Sequence, residues 1–266
     1  MKRVVFVACA VAVAGTLASA AMADVAPPPP VAVTSPAPVV VDVVKEAASL
    51  VETGPNTIAT LKKAIEMYEG ALSDTSRPAT ARANGWADLS RASLRLGDLL
   101  KGDKEKIAAY DKGQAAGKKA VEVAGGKHVD GLFWATANLA TTGRTRGVMN
   151  SLFMMGDLRK GMNAVLAQDP NYHLARNTLG EIDHAVPGFA GGSDERAEQG
   201  YREVLKRDPH FTATMVLLAK LKNDQGEKDE ARRWAEKVVA ETTPAMRNEW
   251  RKFDVPDAKK LLADLQ

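Results

Sequence analysis

Few residues of this chain are of the kinds that do chemistry, and fewer stand at useful spacings. Its four histidines are His128, His173, His184 and His210. No two lie three or four residues apart, the separation that puts two imidazoles on one helix face as metal sites commonly use. His173 and His184 are eleven residues apart, about three helical turns, so they can share a face but not one ion. His173 and His210 occupy similar sequence surroundings, which suits hydrogen bonds between repeats. The single cysteine, Cys9, sits inside an N-terminal apolar run. No Gly-x-Ser-x-Gly elbow, P-loop or dinucleotide fingerprint occurs, and no residue pattern points to a serine nucleophile. Gly188 to Gly192 is glycine-rich, but it follows a helical pattern rather than a strand and lacks the phosphate-binding Lys-Ser/Thr. Its composition reads as a tight turn, with a rim contact to a ligand or partner as the other reading. The expectation is therefore no enzyme, no catalytic residue, no cofactor and no metal. An enzyme with an unrecognised site is the alternative from another class.

The residues left for recognition are few. Arg144 and Arg146 flank Thr145, and two guanidinium groups there can grip a carboxylate bidentately, or can simply solvate a loop and meet helix C-termini. Met149, Leu152, Phe153, Met154 and Met155 form a soft apolar run near them. Methionine packs adaptably and suits surfaces that bind varied partners. With Leu132, Phe133 and Trp134 this run either lines a cleft for an apolar ligand or forms plain core. Phe133, Trp134, Arg144, Arg146, Phe153, Met154 and Phe189 make up the candidate ligand or partner surface. The expected ligand is a small apolar molecule or a carboxylate.

The elements that would position these residues are helical. The 266 residues are 45% hydrophobic, 26% charged and only 5% aromatic, with Ala, Leu and Val dominating the apolar set. Such a chain has enough apolar surface for a core, so it is not wholly disordered, and its small side chains suit packed helices. The 36 basic residues are nearly matched by 33 acidic ones, which argues against a nucleic-acid binder.

The N-terminus reads as an address. Lys2 and Arg3 precede an apolar stretch from Val4 to Ala21, and Ala21-Met22-Ala23 supplies small residues at the −3 and −1 positions of a cleavage site. Residues 1–23 are therefore expected to be a cleaved secretory signal, leaving no cysteine and no stable membrane span. Residues 24–41 hold four consecutive prolines, Pro27 to Pro30, among Ala and Val. They read as a semi-rigid tether of extended geometry, or as a docking segment. The folded domain is placed at 42–266.

From residue 42 apolar residues recur at helical spacing and no strand pattern appears. Helices are predicted at 42–53, 57–73, 79–98, 104–124, 130–142, 147–168, 172–185, 194–207, 211–224, 228–242 and 256–265. The sequence also repeats. Asp169-Pro170-Asn171-Tyr172-His173 returns as Asp208-Pro209-His210-Phe211-Thr212, with Leu179-Gly180 opposite Leu218-Ala219. Ala64, Tyr68, Ala71; Ala197, Tyr201, Val204; and Ala231, Ala235, Val238 keep one spacing of four and then three. Small residues in such a stripe let two helices approach closely. This is the logic of tetratricopeptide repeats, whose hairpins must stack to bury their flanks and so curve into a concave surface. The expected fold is an all-α solenoid of about five hairpins with 256–265 as a terminal cap.

The stretch 131–220 carries a more particular likeness. It runs from Gly131-Leu132-Phe133-Trp134 through Gly143-Arg144-Thr145-Arg146-Gly147 and the Asp169-Pro170 joint. It ends with Val186-Pro187-Gly188-Phe189-Ala190-Gly191-Gly192-Ser193 and Asp208-Pro209-His210-Phe211. This order resembles the T component associated with tripartite ATP-independent periplasmic (TRAP) transporters. The resemblance implies a periplasmic binding and scaffold protein with a hydrophobic cleft and a helper role in ligand uptake. It also implies association with a substrate-binding subunit and self-association as a trimer. Family members are often lipid-anchored. Here Cys9 lies near the start of the apolar run rather than its end, so release without a lipid anchor is expected. An envelope scaffold with no transport role is the alternative among binding proteins.

Overall fold

The computed structural model describes residues 42–265, except for the side chains of Val148, Met149 and Leu152. The expected signal at 1–23 and linker at 24–41 lie outside those residues. Among the described residues there is no strand. The helices are α1 (Val43–Glu52), α2 (Ile58–Leu72), α3 (Ala79–Leu99), α4 (Asp103–Val123), α5 (Val129–Thr145) and α6 (Val148–Gln168). They continue with α7 (His173–Ala185), α8 (Asp194–Arg207), α9 (Thr212–Asp224), α10 (Lys228–Ala240), α11 (Arg247–Glu249) and α12 (Val255–Asp264).

Consecutive helices pair as five antiparallel hairpins, α1/α2, α3/α4, α5/α6, α7/α8 and α9/α10, and α12 closes the last one. The chain is an all-α solenoid of tetratricopeptide-like hairpins. Helices α1, α2 and α8 start where a short polar side chain answers a free N–H of the first turn. Asp42 accepts from Val44 N–H at 3.2 Å, Thr57 from Thr60 N–H at 3.2 Å and Ser193 from Arg196 N–H at 3.1 Å. The two Asp-Pro joints are built alike. Asp169 Oδ1 accepts from Asn171 N–H at 2.8 Å, and Asp208 Oδ1 accepts from His210 N–H at 3.0 Å. Each such turn sets an aromatic residue, Tyr172 or Phe211, at the start of the next helix and into the main core.

Within a hairpin the close approach depends on missing side chains. A Cβ at Gly97 of α3 would strike the ring of Tyr110 of α4, and one at Gly180 of α7 would strike the ring of Tyr201 of α8. The glycine on the first helix makes room for the tyrosine on the second, and both rings are buried.

Two helical segments go beyond the sequence expectation. Gly188–Ala190 forms a single 3-10 turn between α7 and α8. Residues 247–254 extend the cap backwards, through α11 and a π-helical turn at Trp250–Asp254, into α12. Pro256 has no N–H to give the ladder and helps account for the wider turn just before it.

Candidate functional site

Neighbouring hairpins pack mainly through consecutive helices, α2 on α3, α4 on α5, α6 on α7 and α8 on α9, and alternate helices add a second set of contacts. α1 touches α3, α3 touches α5, α7 touches α9 and α9 touches α12, but α5 and α7 barely meet. A hydrogen bond and a ring contact tie them directly at one end. The Tyr172 hydroxyl at the head of α7 donates to Asp130 Oδ1 of α5 at 2.7 Å, and the Tyr172 and Phe133 rings lie 5.0 Å apart. Towards their C-terminal ends the two helices part, and a pocket lies in the wedge, with about 670 Å³ of empty space when the open solvent at its mouth is included. Ala137, Ala140, Thr141 and Arg144 of α5 form one wall, and Thr178, Glu181 and Ile182 of α7 form another. The start of α6 supplies the third through Ser151, Met154, Met155 and Leu158, and Leu94 of α3 lies at the floor.

The lining is mainly apolar. Leu94, Leu158 and Ile182 are buried, whereas Thr141, Arg144, Thr178 and Glu181 are half-exposed and face the more open side. An apolar hollow with a few polar groups at its edge is the usual make-up of a small-molecule site. α5 and α6 come close beside it because Gly143 has no side chain, where a Cβ would meet Met154 Sδ at 2.6 Å. Arg144 also faces the pair formed by Tyr110 and Asp98, whose hydroxyl-to-carboxylate hydrogen bond measures 2.9 Å. Burial raises the Asp98 pKa, and both the Tyr110 hydrogen bond and the Arg144 charge pull it back. A ligand carboxylate at Arg144 would therefore compete with an anion already close to it.

The predicted surface residues separate into three groups. Arg144 and Met154 line the pocket. Phe133 and Trp134 do not: they are 0% and 3% exposed, stack edge to face at 5.0 Å, and belong to the main core. Arg146, Phe153 and Phe189 point outwards. Arg146 pairs with Asp111 at 3.5 Å, and Phe153 and Phe189 are 80% and 96% exposed. The side chains of Met149 and Leu152, in the same soft run, lie outside those described.

No family model matches the chain, and no curated protein matches it. Among solved structures, a chain described as the assembly chaperone of RpL4 (Acl4), residues 1–338, is similar with a TM-score of 0.46 and 14% identity. The match covers 84% of this chain and 94% of that one. The fold rests on the chain's own helices rather than on this likeness.

The histidines serve the scaffold. His128 Nδ1 accepts from Gly131 N–H at 3.0 Å and caps α5, which leaves Nε2 to donate to Asn84 Oδ1 at 2.9 Å. Burial lowers its pKa, consistent with a neutral ring. His173 packs edge-on to the Phe211 ring at 5.2 Å, and burial lowers its pKa too. His184 spans Asp194 and Asp224 at 2.8 and 3.0 Å, and His210 meets Glu241 at 3.2 Å. Among the described residues no group of three His, Cys, Asp or Glu could hold a metal ion, and no helix is long and apolar enough to cross a membrane.

The sequence reading did not single out an ionic cluster on α3. Asp88, Arg91 and Arg95 follow one face of that helix. Arg91, 2% exposed, donates to Glu52 and Asp88 at 3.2 Å each, and Arg95 donates to the Val51 carbonyl at 2.7 Å. Burial pushes the Asp88 carboxyl up to about 6 against the pull of Arg91. Helical spacing alone could have flagged these three residues.

Proposed function

We propose that this chain is a non-enzymatic periplasmic binding and scaffold protein, similar in role to the T component of TRAP transporters, which assists ligand uptake through contacts with a protein partner and an apolar ligand. The observation that carries the reading is the wedge between α5 and α7. A preformed apolar hollow with one arginine at its polar side fits a small apolar molecule bearing a carboxylate or similar anion. The sequence from Gly131 to Phe211 that resembles the T component contains most of this wedge. The partner in this reading is a periplasmic substrate-binding subunit, and the chain associates as a trimer.

The test uses the full chain and 1-anilinonaphthalene-8-sulfonate, an apolar anion whose fluorescence rises on burial. Saturable binding at one site is expected. Thr178→Trp, which fills the wedge, should remove it, and Arg144→Gln should weaken it while sparing an uncharged analogue. Binding that is unsaturable, or unchanged by both substitutions, overturns the ligand reading. Light scattering after size exclusion should give a trimer, and a strict monomer at high concentration removes the transporter analogy. In that case the envelope-scaffold reading stands, which the outward-facing Phe153 and Phe189 favour as partner contacts.

A further inference from the structure

The connection from the last repeat helix to the cap is longer than a hairpin needs. α10 and α12 are separated by residues 241–254, whereas three residues suffice between α3 and α4 and between α9 and α10. The extra length turns inwards. Pro244 is buried, Ala245 N–H donates to the His210 carbonyl at 3.0 Å, and Ala245 and Met246 pack against the main core built by α3 to α8. Glu249, 6% exposed, lies 3.7 Å from Arg95 on α3. Arg95 belongs to the second hairpin and Glu249 follows the fifth, so their contact is made across the inside of the superhelix. The chain holds part of itself in its own groove.

The fit is incomplete where the charges meet. At 3.7 Å the Glu249–Arg95 pair is an ion pair without a hydrogen bond. One turn away, Arg91 Nε is buried and has no hydrogen-bond partner among the described residues. A carboxylate seated slightly deeper would make charge-assisted bonds that Glu249 does not. It would also keep a carboxylate beside Arg95, which with Lys252 and Arg91 offsets part of the cost of burying that group. On the cap side the segment is tied by Trp250 Nε1–H donating to the Val238 carbonyl at 2.7 Å.

We propose that residues 241–254 are a displaceable internal ligand, and that the inner face around Arg91 and Arg95 takes from a protein partner a short segment of the same chemistry. That segment carries a carboxylate three residues after an apolar side chain, as in Met246-Arg247-Asn248-Glu249. This exchange is independent of whether the α5–α7 wedge holds a ligand.

The probe is a fluorescent peptide of residues 242–253, titrated by anisotropy into the full chain. The unaltered chain, with its groove filled, should bind it weakly. Glu249→Gln, with the internal anchor loosened, should bind at least ten times more tightly, and the same peptide carrying Gln in place of Glu should lose that gain. Equal binding to both chains, or none to either, overturns the proposal. Hydrogen exchange on the unaltered chain decides the matter if the variant does not fold. The Ala245 and Trp250 amides should exchange faster than those in the middle of α10, and faster still with excess peptide. Protection equal to α10 that excess peptide leaves unchanged also overturns it.

Discussion

The Tyr172 hydroxyl, donating to Asp130 Oδ1 at 2.7 Å, is the pin at the closed end of the wedge between α5 and α7. Burial and the nearby Asp130 charge push the Tyr172 pKa far up, so the phenol stays a neutral donor. Tyr172→Phe keeps the ring in the core and removes the pin. A hydrogen bond to a charged acceptor contributes about 2 kcal/mol, so urea unfolding should show a loss of that order. The α5–α7 joint should loosen with it, seen as faster amide exchange at Thr178 and Ile182. A variant as stable as the parent would mean that water replaces the phenol at no cost.

Tyr201 tests the hairpin packing itself. It is 1% exposed and its ring occupies the space left by Gly180. Tyr201→Asp removes the ring, opens a cavity and places a carboxylate between α7 and α8. The lost burial alone costs about 3–5 kcal/mol and the stranded charge adds to it. The expected outcome is a large fall in melting temperature by circular dichroism. An unchanged melting temperature would place Tyr201 on the wrong face.

These two tyrosines show what could be read in advance. The stripes Ala197, Tyr201, Val204 and Ala231, Ala235, Val238 are buried throughout, and only Ala71 among the nine stripe residues is half-exposed. All eleven predicted helices are present, because spacing at 3.6 residues and breaks at Gly and Pro report on local structure. The wedge was half legible. Arg144 and Met154 stood out by type, but Leu94, Thr178 and Ile182 join them only because α5 and α7 part company, which is a tertiary matter. The inward segment at 241–254 was missed for a similar reason. Its tip, Pro244-Ala245-Met246, has no period, and its acidic anchor meets an arginine more than 150 residues earlier.

The Pro187-Gly188-Phe189-Ala190-Gly191-Gly192 loop makes a tight turn, and its glycines have distinct duties. Gly191 sits at φ +91°, a conformation that side chains rarely adopt. A Cβ on Gly192 would run into the Val186 carbonyl, which is backbone and cannot swing aside. The loop is further clamped by Asp183, which pairs with Arg159 at 2.7 Å and Arg196 at 2.8 Å. Gly192→Ala should therefore destabilise the α7/α8 hairpin by about 2 kcal/mol. Gly188→Ala, with open space around it, should change stability by less than about 0.5 kcal/mol. Thermal melts of the two variants side by side check the contrast.

Asp254 gives the solenoid a pH dependence whose sign can be worked out. Its side chain is buried at the π-helical turn and accepts from Thr212 Oγ1–H at 2.6 Å. Burial raises its pKa to about 6 from 3.8; the Thr212 hydrogen bond and Lys220 oppose the rise, and Glu249 and Asp257 add to it. A carboxyl with a raised folded-state pKa holds its proton more tightly when folded, so it favours folding most below about 4 and loses that advantage as pH rises towards 6. The Asp88 carboxyl, also raised to about 6 by burial, acts in the same direction. Glu198 opposes them, because hydrogen bonds from Lys222 and Arg202 outweigh its burial and hold its pKa low; its contribution fades only at acid pH. Asp254→Asn keeps an acceptor for Thr212 and removes the titration. Denaturant unfolding should show the variant more stable than the parent at pH 7 by on the order of 2 kcal/mol. The gap should shrink towards zero by pH 4. A gap that stays constant from pH 4 to pH 7 would show that the Asp254 charge does not set this stability.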